Sequence, residues 1–328
     1  MAGAPAVTDE VDLAELGEVG RQIGKGGQAI VYLAPGLTLP DVSGPLVYKA
    51  YLGQQSAPHG LRAIVRVRSA MDTRDRQRLD TVAAWPVRVV RCEGRVVGVL
   101  MPLIPDSFFQ ERFLPTGRPS RDPREAQNLF VAPELAVRLG MPSLTGADRM
   151  AVCRDLAGAL SFLHDKGIVY GDVNAKNELF RLAPEPTVML VDCDAVRIRG
   201  SAAVVRQLSA PDWDPPEGAV LTQATDVYKL ALFVLRVLTP GPQASTARDP
   251  ERVRRMLDGA GWDLLARSLS VRAKDRPPAS AWYAYLARRT PRRGSTAVDV
   301  ARVAEPRAPM VTSGWRRDPA TGRWVPAT

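Results

Sequence analysis

The apolar pattern of this chain changes period part-way along it. Up to Met101 the apolar residues fall in short runs separated by Gly and Pro, the spacing of strands. Beyond Asp148 they recur at three- and four-residue intervals, the spacing of helices. A chain that separates its strands from its helices in this way builds a sheet and a helical layer in different regions, an α+β arrangement. Its 328 residues suffice for one large domain or two small ones.

The strand-like part begins with a strand, a glycine turn and a second strand between Val19 and Leu33. Leu46–Tyr51, reading LVYKAY, is a buried strand with no Pro or Gly inside it. Residues 60–83 are rich in Arg and carry apolar residues at helical spacing, so one helical stretch is expected there. Val87–Val90 and Arg95–Met101 form two further strands around a turn at Glu93-Gly94. After the prolines at 102 and 105 the spacing assigns nothing firmly between Asp106 and Gly146. Then Asp148 opens an apolar stripe through Met150, Cys153, Leu156, Leu160 and Leu163, and Gly167 stops it. Short strands are expected at Glu178–Leu182 and Thr187–Val191. A helix capped by Thr225 should end at Pro240, with further helices at Arg252–Leu269 and Ala279–Ala287.

Rare residues exclude several chemistries. The chain has only two histidines, His59 and His164, which rules out a multi-His metal site. Three widely spaced cysteines, Cys92, Cys153 and Cys193, make neither a disulfide framework nor a CxxC knuckle and suit a reducing cytosol. The longest apolar run, Leu230–Leu238, is broken by Arg236 and is far short of a transmembrane segment, and no early basic cluster suggests a secretory signal. A cytoplasmic protein is therefore expected. Only six of 44 basic residues are Lys, and two of three Asn lie three positions apart, at Asn174 and Asn177.

Four segments carry chemistry. Gly24-Lys25-Gly26-Gly27-Gln28-Ala29-Ile30-Val31 is a glycine-rich turn between strands, where backbone amides can approach a phosphate; a plain hairpin turn has the same composition. Lys49 stands in an apolar strand, where an amine needs an anion beside it unless it lies on an open face. Asp172-Val173-Asn174-Ala175-Lys176-Asn177 puts a carboxylate and an amide in one loop. The carboxylate suits a hydroxyl proton and the amide oxygen a hard cation, although turns in general favour Asp and Asn. Asp192, in Val191-Asp192-Cys193-Asp194, ends an apolar strand and suits Mg²⁺.

In this order the segments resemble the protein-kinase fold, over about residues 20–288. The resemblance implies a two-lobed α+β structure with a small β-rich N-lobe at 20–103 and a mostly helical C-lobe at 104–287. It makes Gly24, Lys25, Gly26, Gly27, Gln28, Ala29 and Val31 the nucleotide-covering loop, and Lys49 the lysine on the ATP phosphates. Asp172 and Asn177 become the catalytic loop, with Asn177 and Asp192 holding Mg²⁺. Adenine is placed against a hinge at Met101–Pro105, including Met101 and Leu103. Pro215-Pro216-Glu217 resembles the close of the activation segment, Asp226 the structural Asp that braces the catalytic loop, and Arg276 the late Arg that pairs with Glu217.

The chain departs from that pattern in places. Ala29 replaces the third loop glycine, Tyr170-Gly171-Asp172 replaces His-Arg-Asp, and Asn174 stands where Ser/Thr kinases have Lys. Asp192-Cys193-Asp194 replaces Asp-Phe-Gly. No Glu occurs from Val19 to Cys92, so the helix carboxylate that should meet Lys49 is Asp72, Asp75, Asp80 or none. The Asp-x-Asp segment resembles a divergent, actinobacterial-looking group of bacterial Ser/Thr-type kinases.

The resemblance thus implies an ATP- and Mg²⁺-dependent kinase acting on a Ser/Thr hydroxyl of a protein substrate. A pseudokinase scaffold and a small-molecule phosphotransferase remain as alternatives. Ser201 and Ser209 are candidate phosphosites. Net charge is +9, distributed as −5 in an acidic leader at 1–19, +6 in a basic, flexible-looking tail at 288–328, and the rest between. The cleft of such a fold holds a polyanion, so nucleic acid is not the expected partner. Trp315 and Trp324 make the tail a candidate docking element for a partner.

Overall fold

The computed structural model describes residues 8–53, 58–113, 118–198, 211–218, 220–290, 315–317 and 324–326. Contacts divide them into two units. Described residues of Met1–Asp106, Asp192–Arg206 and Pro306–Thr328 form the first, and those of Ser107–Val191 and Gln207–Glu305 the second. The described residues 192–198 are grouped with the first unit.

The first unit is built on β1 (Glu10–Asp12), β2 (Gln22–Lys25), β3 (Ala29–Leu33), β4 (Leu46–Tyr51), β5 (Arg88–Cys92) and β6 (Arg95–Pro102). They form one sheet in the order β1-β5-β6-β4-β3-β2. Glu93 and Gly94 take φ of 50° and 76°, a left-handed pair that closes the β5–β6 hairpin with the twist its strands need. Lys49 lies between Val31 and Val99 in register. Gly98, one residue before Val99, lets two strands approach: a Cβ there would come 2.3 Å from the Lys49 carbonyl oxygen.

The described part of the acidic leader, from residue 8 onward, joins the sheet. β1 pairs in parallel with β5, Glu10 opposite Val89, and Val11 and Leu16 are buried in the core with Leu46, Tyr48, Val90 and Leu100. The acids have local partners. Asp12 caps the short 3₁₀ turn Leu13–Leu16, and Glu10 makes ion pairs with Arg62 and Arg91.

The helical stretch expected at 60–83 is two helices, α1 (Pro58–Ser69) and α2 (Thr73–Val82). Asp72 breaks it: its carboxylate accepts from the Asp75 amide at 2.8 Å and so caps a new helix. Beneath them lies a buried charge network. Arg68, 1% exposed, reaches Asp41 and Asp80 at 2.8 and 2.7 Å, and Arg88 also grips Asp41.

The second unit begins in the region the spacing left unassigned. A hairpin of β7 (Phe109–Phe113) and β8 (Pro119–Pro123) is followed by α3 (Pro133–Arg138). The long helix α4 (Gly146–Asp165) comes next, then β9 (Ile168–Val169) and the antiparallel pair β10 (Glu178–Arg181) and β11 (Thr187–Leu190). Helices α5 (Gln223–Leu238), α6 (Gly259–Ser268) and α7 (Ala279–Arg289) complete it, with α4 packed on α5 and α7. Gly158 makes the α4–α7 approach possible, since a Cβ there would lie 3.0 Å from the Tyr283 ring.

Helix α4 begins ahead of Asp148, where its apolar stripe was expected to open, and the cap of α5 falls three residues earlier than expected. Thr145 caps α4 with Asp148 reaching back to it, and Thr222 caps α5 with Thr225 as the reciprocal partner. The helix expected at 252–269 starts only at Gly259, capped by Asp258, after a 3₁₀ turn at Pro250–Val253. β12 (Arg197–Ile198) belongs to the first unit. In the tail, β13 (Trp315–Arg317) and β14 (Trp324–Pro326) pair antiparallel, so the segment expected to be flexible carries a small ribbon. No described helix is long and apolar enough to cross a membrane. Ser201 and Ser209 lie outside the described residues.

Candidate functional site

In the first unit β2 and β3 present the glycine turn, whose residues from Lys25 to Gln28 are exposed. The Gly26 amide donates to the Ala29 carbonyl at 2.8 Å, which closes the turn. A Cβ at Gly27 would meet nothing within 4 Å, and one at Gly26 only that carbonyl at 3.9 Å. The protein's own packing therefore does not require glycine here. What glycine supplies is open space beside backbone amides, which suits a phosphate. Ala29 is buried and Val31 faces Lys49 across the β3–β4 pairing.

Lys49 has a side chain only 15% exposed and two carboxylate partners. Its Nζ lies 2.9 Å from Asp194 and 3.1 Å from Asp192. Burial alone would pull the amine down, but the charges of Asp194 and then Asp192 outweigh it and raise it to about 12. Lys49 is therefore a fixed cation at neutral pH. The two acids differ. Asp194 is 10% exposed and has its second oxygen on the Tyr51 hydroxyl at 2.7 Å. Asp192 is 59% exposed, so its carboxylate remains accessible, and it takes a left-handed backbone at φ 54°.

None of the candidate helix acids is what holds Lys49. Asp72 caps α2 and Asp80 holds Arg68, while the contacts of Lys49 come from the turn after β11. Met101 is buried in β6 opposite Val47, and the Leu103 amide donates to the Pro45 carbonyl at 2.9 Å. The Leu103 N–H is thus already engaged within the first unit.

The second unit holds the Asp/Asn loop. Asp172 is gripped at both carboxylate oxygens: Asn177 Nδ2 donates to Oδ2 at 2.6 Å and Asn174 Nδ2 to Oδ1 at 3.1 Å. Asn174, in the place of the expected Lys, thus orients the carboxylate without neutralising it. Lys176 is exposed. With its Nδ2 used in this way, Asn177 has its Oδ1 left as the acceptor suited to a hard cation.

The backbone of this loop is fixed from α5. Asp226, fully buried, accepts from the Tyr170 amide at 2.9 Å and the Gly171 amide at 2.7 Å, and its Oδ2 also lies 2.9 Å from His164 Nε2. Lys229 donates to the Gly171 carbonyl at 2.7 Å. The Tyr170 hydroxyl donates to the Val191 carbonyl at 2.7 Å, tying the loop to the end of β11. Glu178 is buried beside the loop, and burial followed by the charge of Asp172 pushes its carboxyl well above the usual range. Arg276 forms a two-pronged ion pair with Glu217, both contacts at 2.6 Å.

With this geometry in hand, the chain can be set beside known proteins. It is similar to the crystal structure of the Mycobacterium tuberculosis PknI kinase domain, with a TM-score of 0.52 and 17% identity, over 82% of this chain and 94% of that one. The fold is protein-kinase-like. No protein-family model matches the sequence, and no curated protein matches it either.

Sequence reasoning missed four residues in this kinase-like fold. Tyr51 and Asp194 grip each other, and Glu178 and Lys229 sit buried at the Asp/Asn loop. Two signals were present. Tyr51 lies two residues from Lys49 and so shares its strand face, and Lys229 is a lysine inside an apolar helix of a lysine-poor chain.

Proposed function

We propose that this protein is an ATP-dependent protein kinase that transfers the γ-phosphate to a Ser or Thr hydroxyl of a protein substrate. The observation that supports it most is Asp172, a carboxylate held at both oxygens by neighbouring amides in a loop braced by Asp226. A carboxylate fixed in this way can accept the hydrogen bond of an acceptor hydroxyl and aim its oxygen at phosphorus.

On this reading Lys49 and those glycine-turn amides not used in closing the turn hold the phosphates, and the adenine lies against Met101–Pro105. The exposed carboxylate of Asp192 and the amide oxygen of Asn177 are hard oxygen donors of the kind Mg²⁺ takes. They would hold the ion, which when bound neutralises phosphate charge. The hydroxyl oxygen bonds to the γ-phosphorus as the bond to the ADP oxygen breaks, and the hydroxyl proton passes to Asp172. Rate enhancement comes from positioning and charge, as the loose transition state of phosphoryl transfer demands. The Glu217–Arg276 pair, resembling the brace beneath a protein-substrate platform, favours a protein acceptor. The proposal includes a cytoplasmic setting and a tail that docks a partner.

Transfer of radiolabelled γ-phosphate to the protein itself or to a generic protein, wild type against Asp172→Ala, tests it. Label incorporated by the wild type alone supports the reading. Equal background from both proteins overturns it, and labelling of small amino-sugars with no protein labelled replaces the acceptor class.

A further inference from the structure

Lys49 and Tyr51 are two residues apart on β4, so they leave the strand on the same face. Both converge on one carboxylate. Lys49 Nζ meets Asp194 Oδ1 at 2.9 Å, and the Tyr51 hydroxyl donates to Oδ2 at 2.7 Å. We propose that Asp194 is the positioning residue for Lys49, with Tyr51 as its second anchor.

Three observations carry this. First, Asp194 and Asp192 lie two residues apart and are exposed to very different extents, 10% against 59%. The inner carboxylate is shielded and doubly bonded; the outer one remains accessible. The short turn Cys193–Ala195, with Cys193 fully buried and α1 packed on it, holds the two apart. Second, a buried ion pair holds a defined geometry only when its remaining lone pairs are bonded, and Tyr51 supplies that bond. Third, the carboxylates on Lys49 are those of Asp192 and Asp194 and not of a helix acid: residues 19–92 contain no Glu, Asp72 caps α2, and Asp80 is bonded to Arg68.

The turn that presents Asp192 therefore also sets the direction of Lys49. The orientation of the lysine follows that turn rather than the position of a helix. This inference rests on the reading of Lys49 as the phosphate-binding cation, and adds the group that aims it.

The test is a fluorescence titration of the full chain with Mg²⁺ and an N-methylanthraniloyl ATP, with adenosine binding followed in parallel by competition. Lys49→Ala should weaken ATP binding roughly tenfold, the loss of one charge-assisted hydrogen bond. Asp194→Asn should weaken it comparably, and the double variant should show no further loss, as expected of residues acting as a unit. Adenosine, which has no phosphate, should bind all of them as it binds the wild type. Tyr51→Phe, which keeps the ring and removes only the hydroxyl, should give a smaller loss in the same direction.

Additive losses in the double variant would overturn the proposal. So would an equal loss of adenosine binding, which marks a merely structural role. An Asp194→Asn defect cured by raising Mg²⁺ would make Asp194 a metal ligand instead. If the wild type binds Mg²⁺–ATP and transfers no more phosphate than Asp172→Ala, the kinase reading fails and the positioning result stands. If the wild type binds no Mg²⁺–ATP, both fail.

Discussion

Arg276 and Glu217 meet fork to fork, Nη1 on Oε1 and Nη2 on Oε2, each at 2.6 Å, with the arginine side chain wholly buried. Burial would raise the Glu217 carboxyl, but the hydrogen bonds from Arg276 hold it below its usual range. Arg276 also donates to the Ser270 and Ala224 carbonyls, so one guanidinium ties three segments of the second unit. Lysine cannot reproduce that fork. Arg276→Lys should lower the unfolding midpoint in a thermal melt despite keeping the charge. Arg276→Ala should cost about 3 kcal/mol, since it strands a partner and empties a buried site.

Asp226→Asn should uncouple the loop from α5. The carboxylate accepts two backbone amides at once, and an amide side chain turns a donor toward one of them. The expected cost is about 1–3 kcal/mol for the group left unsatisfied. Phosphoryl transfer should fall further than the melting temperature suggests, because Asp172 is carried on the same backbone. Parallel melts and transfer assays on one preparation check this.

Asp172→Asn keeps the shape of the side chain and removes its ability to take a proton. Transfer should drop by roughly 10²–10⁴-fold, the usual contribution of a positioned acid or base. The affinity for Mg²⁺–ATP should change little. A titration with fluorescent nucleotide beside a single-turnover assay separates the two effects.

Acid should weaken the first unit through Asp41. Burial would raise its carboxyl, but the hydrogen bonds from Arg88 and Arg68 outweigh it and leave it below the ordinary value. A lowered folded value means that the stabilisation is fully present above the unfolded value of about 3.9 and is lost as pH falls through the folded one. Urea denaturation should show stability declining below about pH 4. Asp41→Asn should remove about 3–5 kcal/mol at pH 7, because it leaves two buried guanidiniums short of a counter-charge. It should also flatten the acid dependence.

Gly98→Ala is a backbone test. The added methyl would lie 2.3 Å from the Lys49 carbonyl oxygen and 2.5 Å from the Tyr48 ring. Neither β4 nor β6 can retreat without losing ladder bonds, so about 1–3 kcal/mol of destabilisation is expected. A shift in the denaturation midpoint measures it.

The parts of the fold that were legible in the sequence are those set by local chemistry. Helices α4 and α5 announce themselves by apolar spacing, and β4 by an unbroken apolar run around Lys49. The cap of α5 was misplaced because both members of its reciprocal pair, Thr222 and Thr225, are good cap formers. The pairings of Asp226 and of Glu217 with Arg276 were anticipated because resemblance aligned whole segments. Asp194 was not. In sequence it is only a missing glycine, and its bonds to Lys49 and Tyr51 span more than 140 positions. β1 was hidden for a different reason. Three residues with two acids among them carry no strand signal, and only the burial of Val11 and Leu16 gives the segment away.

That first strand has a consequence for synthesis. Glu10 leaves the ribosome long before its partner Val89, and a parallel ladder cannot close as a local hairpin. At about 5–20 residues per second, the nascent segment waits some seconds for β5 to emerge. Asp9, Glu10 and Asp12 give the waiting strand a run of like charge. The charges that made the segment look like a leader are also ones that disfavour its pairing with a like-charged copy of itself.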